Sequence, residues 1–188
     1  MSQDFPFVSE SEIETALRGI DSARDRAIVV LIANSGLCPG ELEQLNRNSI
    51  QIQKSPEVGM GRVQGKRGQR EFFVDPVGLR YLAEWMAQQE GGLSGPLFVD
   101  SDHRRMTSSS IGGRLRRWSE RLQIQGLGAR SLRYTFVVRL SQSGMGSEVA
   151  AFLAGHASPH FRPVDGSLPR EAIIRQYLSA MARVQDAK

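Results

Sequence analysis

Gly61-Arg-Val-Gln-Gly-Lys-Arg-Gly-Gln-Arg-Glu-Phe-Phe-Val74 is the stretch on which the fold class turns. Gly65 and Gly68 supply the chemistry of a tight turn, and the flanking residues read as two antiparallel strands. Just upstream, Ser49-Ile-Gln-Ile-Gln-Lys54 alternates with the period of a strand. The rest of the chain is punctuated as helix. Ser9 or Ser11 caps a segment to about Arg18. Asp21 caps a second, with Ala27, Val30, Leu31 and Asn34 on one face and Gly36 at its end. Pro39 suits the first turn of a third helix, to about Leu45.

Downstream of the hairpin, Pro76 to about Gln89 carries Leu79, Leu82, Trp85 and Met86 on an apolar side. Thr107 caps a long basic segment to about Leu122, with Ile111, Leu115, Trp118 and Leu122 at inward spacing and the arginines outside. Ser131 caps the next helix, ending near Gly144, and Ser147 a short one ending at Gly155. A Pro- and Gly-rich stretch, His156 to Pro169, leads to a last helix from Arg170 to about Arg183. The class expected is α+β, mainly helical, with one small antiparallel sheet.

The chain has 188 residues, 40% of them apolar and 23% charged, which is the composition of a globular domain large enough to bury its own core. One cysteine, Cys38, excludes a disulfide framework and a cysteine-rich zinc module. The apolar run from Ala27 to Ala33 is far shorter than the ~18 residues of a membrane span. The opening residues lack a basic n-region and an apolar h-region, so the expected location is the cytoplasm, with no membrane partner.

The net charge of +4 is mild but unevenly placed. Residues 1–60 carry a net −4, whereas residues 101–140 hold nine arginines against Asp102 and Glu120. A local excess of +7 in forty residues is the footprint of a surface that meets phosphates. Of the 24 basic residues, 21 are arginine, whose planar fork grips phosphate with two hydrogen bonds. The bland reading of that excess is codon bias, which accounts for the overall ratio but not for the concentration in one stretch.

The chemistry inventory excludes much. There is no G-x-x-x-x-G-K-[ST] phosphate loop, no G-x-G-x-x-G after a strand and no G-x-S-x-G elbow. Pro159 breaks the helical spacing of His156 and His160, and no acidic cluster suggests a magnesium nuclease centre. What remains suits metal-free chemistry on a phosphodiester. Cations neutralise developing charge, a lysine or histidine moves protons, and a tyrosine attacks.

Five stretches then fall into a recognisable order. They are Asn34-Ser-Gly-Leu-Cys-Pro-Gly-Glu-Leu42, Gln64-Gly-Lys-Arg-Gly-Gln-Arg70, Ala129-Arg-Ser-Leu-Arg-Tyr-Thr-Phe136, Leu153-Ala-Gly-His-Ala-Ser158 and Arg175-Gln-Tyr-Leu178. In that order, from roughly Ala23 to Ser179, the chain resembles the catalytic domain of the tyrosine recombinases, the phage integrase family. The resemblance implies a catalytic domain over 21–188 behind a lead segment 1–20, too short for the family's N-terminal arm. It implies an activity in which a tyrosine attacks a DNA phosphate and forms a 3′-phosphotyrosyl link. Two arginines and a histidine hold the non-bridging oxygens while a lysine protonates the leaving 5′ oxygen.

Carried over position by position, the resemblance implies Tyr177 as nucleophile, Arg133 as a clamp arginine, His156 as the last box histidine and Lys66 as general acid. No cofactor, metal or small-molecule substrate is implied. The partner is double-stranded DNA, with copies of the chain assembled on it. Arg67, Arg104, Arg105, Arg114, Arg116, Arg117 and Arg121 are the expected DNA contacts. Two positions depart from the family pattern. Cys38 stands where the first clamp arginine belongs, and a thiol cannot make a charged two-pronged contact. Arg130 stands where the first histidine of the H-x-x-R box belongs; it can bind phosphate but cannot shuttle a proton near neutral pH. The interval from His156 to Tyr177 is also longer than usual.

Each residue also has a plainer reading. Lys66 is a solvated charge at a hairpin tip. His156 is a helix-end residue bonding a carbonyl, and Tyr177 a packed core tyrosine beside Ile173, Ile174 and Leu178. Tyr81 and Tyr134 read as structural, and Cys38 as a small buried filler. Three functions follow, the first two being a site-specific strand transferase with an incomplete catalytic set and an accessory DNA-binding protein of the same fold that does not cleave. A partner-binding remnant without DNA affinity is the third.

Overall fold

The computed structural model describes residues 7–66, 68–155 and 169–182. The order is α1 (Glu10–Gly19), α2 (Ala23–Ser35), α3 (Pro39–Gln44), β1 (Gln51–Lys54), β2 (Glu57–Gly65), β3 (Gly68–Val74), α4 (Pro76–Met86), α5 (Ser108–Leu122), α6 (Ala129–Gln142), α7 (Ser147–Leu153) and α8 (Arg170–Ala182). This is the expected α+β arrangement, with helices dominating.

Helix α2 is the hub. The sequence suggests one apolar face, but Ala27 through Ala33 are all buried. A helix apolar all round must be enclosed on every side, and α1, α4, α5, α6 and β3 all pack on this one. Its N-cap is Ser22, whose hydroxyl accepts from the Asp25 N–H, and not the neighbouring Asp21. Gly36 ends it in the left-handed region at φ 63°. A β-carbon there would collide with the Phe136 ring, so both the backbone conformation and the close approach need glycine.

The sheet is antiparallel in the order β1-β2-β3. Gly65 pairs with Gly68, Lys66 lies in the turn, and Gly68 takes φ 115°. One face, with Val63, Phe72 and Val74, closes a core against α1 to α5. The other, with Val58 and Phe73, closes a second core against α6, α7 and α8. Within the expected lead segment 1–20, Val8, Ile13, Ala16 and Ile20 belong to the first core. Among the described residues no helix is long and apolar enough to cross a membrane.

Helix α5 begins after Thr107 as expected and buries Ile111, Leu115 and Trp118. Helix α6 starts two residues earlier than its expected serine cap. Gly128 is the N-cap, and Ser131 lies inside the helix, buried. Gly146, not Ser147, caps α7.

Candidate functional site

Three of the motif segments meet at one point. Arg133 projects from the first turns of α6, half-buried. Its Nε donates to the Gly36 carbonyl at 2.9 Å, and its Nη2 to the Ala154 carbonyl at 2.6 Å. The first carbonyl lies two residues before Cys38, and the second two residues before His156. Helix ends leave carbonyls without intrahelical partners, and a cation is favoured beside them. Arg133 therefore joins the end of α2 to the end of α7.

A second guanidinium runs alongside. Arg70, on β3, is only 5% exposed. Its Nε and Nη2 each reach an oxygen of Glu41 at 2.8 Å. Nη2 also donates to the Gly36 carbonyl at 3.1 Å, and Nη1 to the Leu153 carbonyl at 2.6 Å. The second oxygen of Glu41 accepts the Cys38 N–H at 2.8 Å. Burial by itself pushes the Glu41 carboxyl up, but the hydrogen bonds and charge of Arg70 outweigh it and hold the pKa below the ordinary carboxylate value. A β-carbon on Gly155 would sit 2.9 Å from the Arg70 Nε, and Gly155 is at φ 71°, so the chain passes flush over this guanidinium.

Arg70 and Glu41 carry no assignment in the sequence reading. A signal was present: in a period-two strand Arg70 is in phase with the inward-facing Phe72 and Val74. Glu41 falls within a quoted motif, one turn from Cys38.

Tyr177 lies elsewhere in its role. Its side chain is fully buried between the rings of Phe73 and Phe136, with centroids 5.5 and 6.5 Å away. Its hydroxyl donates to the Asn34 carbonyl at 2.8 Å and lies 3.2 Å from the Phe73 carbonyl. Burial, reinforced by the negative charge of Asp75, pushes the phenol well above its ordinary value. Asn34 is shared: its side chain donates to Asp75 at 2.9 Å and accepts from Arg139 at 2.7 Å. Arg139 also grips both oxygens of Glu10, at 2.6 and 2.5 Å, and the Ala33 carbonyl at 2.9 Å. In this arrangement Tyr177 pins α8 to the end of α2 and does not face solvent.

Among the remaining candidates, Lys66 is exposed in the hairpin turn, and Arg130 is exposed at the start of α6. Cys38 is half-buried where a buried filler was expected. Tyr134, read as structural, is 44% exposed. Arg67 and His156 lie outside the described residues.

The basic segment divides in two. Arg116, Arg117 and Arg121 stand on the outer side of α5, Arg121 stacked on the Trp118 ring at 4.9 Å and 3.6 Å from Asp21. Arg104 is exposed, 3.6 Å from Asp102. Arg114 corrects the expectation that the arginines of this helix stand outside. Its Nε and Nη2 bind Asp25 at 2.8 and 2.6 Å, and the Trp118 indole donates to the same oxygen at 2.8 Å. Asp25 is 1% exposed, and a buried carboxylate requires such partners. Arg105 is likewise turned onto the chain. It donates to the Glu43 and Leu45 carbonyls at 2.7 and 3.0 Å and to Asn46 at 2.6 Å, fixing the loop after α3.

What the meeting point can do chemically follows from its charges. Glu41 is ion-paired with Arg70 and also feels the charge of Arg133, whose described hydrogen-bond acceptors are neutral carbonyls. The positive charge of Arg133 is thus held in place and available to an anion, with Arg130 one turn before it on the same helix.

The model of the phage integrase family matches residues 6–161. Tyr177 lies past the end of that match. The tyrosine recombinase XerC of Shewanella sp. (strain W3-18-1) is 32% identical over 171 residues, covering 86% of this chain and 54% of the relative. The chain thus spans about half the length of the curated relatives it matches. Among solved structures, that of XerA recombinase superposes with a TM-score of 0.69 at 22% identity, covering 92% of this chain and 64% of the other. That of XerH bound to palindromic difH substrate gives a TM-score of 0.67 at 19% identity, covering 87% and 51%. At these identities the superpositions speak for the fold.

Proposed function

The chain belongs to the phage integrase family, and on that premise we propose that it binds double-stranded DNA with the Arg133 site on a backbone phosphate. The family's reaction, strand cleavage and rejoining through a phosphotyrosyl intermediate, is the activity assigned, with Tyr177 as nucleophile and Lys66 and His156 as proton donor and phosphate ligand. One observation carries the reading. Gly36 of the first motif, Arg133 of the third and Ala154 of the fourth are joined by two hydrogen bonds of 2.9 and 2.6 Å. The exposed Arg104, Arg116, Arg117 and Arg121 supply further phosphate contacts. Copies of the chain assemble on the DNA, in the cytoplasm. The XerH structure holding its difH substrate supports DNA as the partner class.

A second reading, an accessory DNA-binding protein that does not cleave, is favoured by two observations. By the family resemblance Cys38 stands at the first clamp position, and the Tyr177 hydroxyl is buried with its hydrogen bond made internally. Losing one donor to a transition-state oxyanion costs ~10²–10³ in rate, about 2.7–4 kcal/mol. A nicked suicide DNA substrate separates the readings. A covalent adduct with the native chain that is absent in Tyr177→Phe establishes cleavage. Salt-sensitive retention of duplex DNA without adduct establishes the accessory role, and no retention at low salt removes both. Cys38→Arg is the companion: an adduct gained there identifies position 38 as the lesion.

A further inference from the structure

We propose that Arg70 is a positioning residue of the phosphate site: it fixes the carbonyls that aim Arg133, without touching DNA itself. The inference rests on the reading of Arg133 as a phosphate ligand. The orientation of Arg133 is set by two main-chain oxygens, those of Gly36 and Ala154. Arg70 holds the first of these directly, at 3.1 Å, and holds the carbonyl of Leu153, adjacent to the second, at 2.6 Å. The two guanidiniums therefore span the same pair of helix ends side by side, and they share one acceptor.

The anchorage of Arg70 explains why it does this and nothing else. Glu41 takes two of its N–H groups at 2.8 Å each and cancels its charge. With 5% exposure it has no face to offer a ligand. Its root on β3 couples the strand that leads from the Lys66 turn to the other two segments. The closeness of Gly155, whose β-carbon would stand 2.9 Å from the Arg70 Nε, fixes the height at which the chain leaves α7. A fork is required because a lysine ammonium cannot reach three separate acceptors in one plane.

The test uses the full chain, a labelled duplex DNA and the slope of log binding constant against log salt. Arg133→Ala is expected to reduce the slope by about 0.9, the value of one phosphate contact. Removing Arg70 alone strands Glu41, so the pair is replaced together as Glu41→Met/Arg70→Met, which removes both buried charges and frees the Leu153 carbonyl and Cys38 N–H from these partners. This double variant is expected to match the slope and affinity of Arg133→Ala while keeping native helix content. Adding Arg133→Ala to it is expected to change affinity by less than about twofold, the bound for coupled sites set by additivity error. Arg70→Lys, which keeps the ion pair with Glu41, is expected to show the same loss of slope and decides the matter should the double variant not fold. A native slope in a folded double variant or in Arg70→Lys, or independent additive losses with Arg133→Ala, overturns the positioning role alone. A native slope in Arg133→Ala overturns the phosphate reading and this role with it.

Discussion

Gly36 meets two demands at once: a left-handed backbone and no side chain against Phe136. The left-handed region costs other residues roughly 1–2 kcal/mol, and overpacking adds about 1–3. Gly36→Ala is accordingly expected to lower the unfolding free energy by at least about 2 kcal/mol, read from urea titration. Glu41 offers a test in pH. Its folded pKa is depressed, so its contribution is present above the unfolded carboxylate value near 4.3 and is lost as pH falls through the folded value. Glu41→Gln, which strands a buried Arg70, is expected to cost about 3–5 kcal/mol at pH 7 and to flatten the acid limb of the stability profile. Tyr177 works in the opposite sense. Its folded pKa is raised, so its contribution is intact below the ordinary phenol value near 10 and is lost as pH rises beyond it. Tyr177→Phe is expected to remove about 1 kcal/mol near neutrality and to flatten the alkaline limb. Duplex DNA binding by this variant is expected to stay at the native level.

At the scale of elements, α5 shows how a basic helix divides its arginines. Arg114 belongs to the interior with Asp25 and Trp118, whereas Arg116 and Arg117 belong to the surface. Arg114→Ala is expected to cost roughly 3–5 kcal/mol because Asp25 is left buried beside fewer cations, with the salt slope for DNA unchanged. Arg116→Ala and Arg117→Ala are expected to leave the melting temperature in place and each to reduce the slope by about 0.9. Calorimetry and binding titrations on the same three proteins check both halves. The apolar spacing of α5 was legible because Ile111, Leu115 and Trp118 recur at the helical period. Arg114 sits at the i+3 position of that stripe, but its ion pair was not legible, since its partner Asp25 is 89 positions away. The caps show the same limit. Thr107 accepts from Ser110 as its position suggests, yet Ser131 lies buried inside α6, which starts after Gly128.

Over the whole molecule, the architecture could be read from one hairpin set among helical patterns, and the motif order could be read from five short segments. That Gly36, Arg133 and Ala154 lie together could be inferred only through resemblance, because their contacts join residues 97 and 21 positions apart. The burial of Tyr177 is the plainer of the two readings its neighbours Ile173 and Ile174 left open, and they share its core. Its bond to Asn34 required the folded chain.

The forks of Arg70 and Arg133 grasp main-chain oxygens at positions 36, 153 and 154. Peptide carbonyls are common to every amino acid, so substitutions at positions 37, 38, 153 or 154 leave those grips chemically available. A change of side chain at position 38 therefore leaves the surrounding framework in place. The scaffold thus keeps its geometry independent of the side chains it displays, and an arginine introduced at position 38 would meet a backbone already held in place.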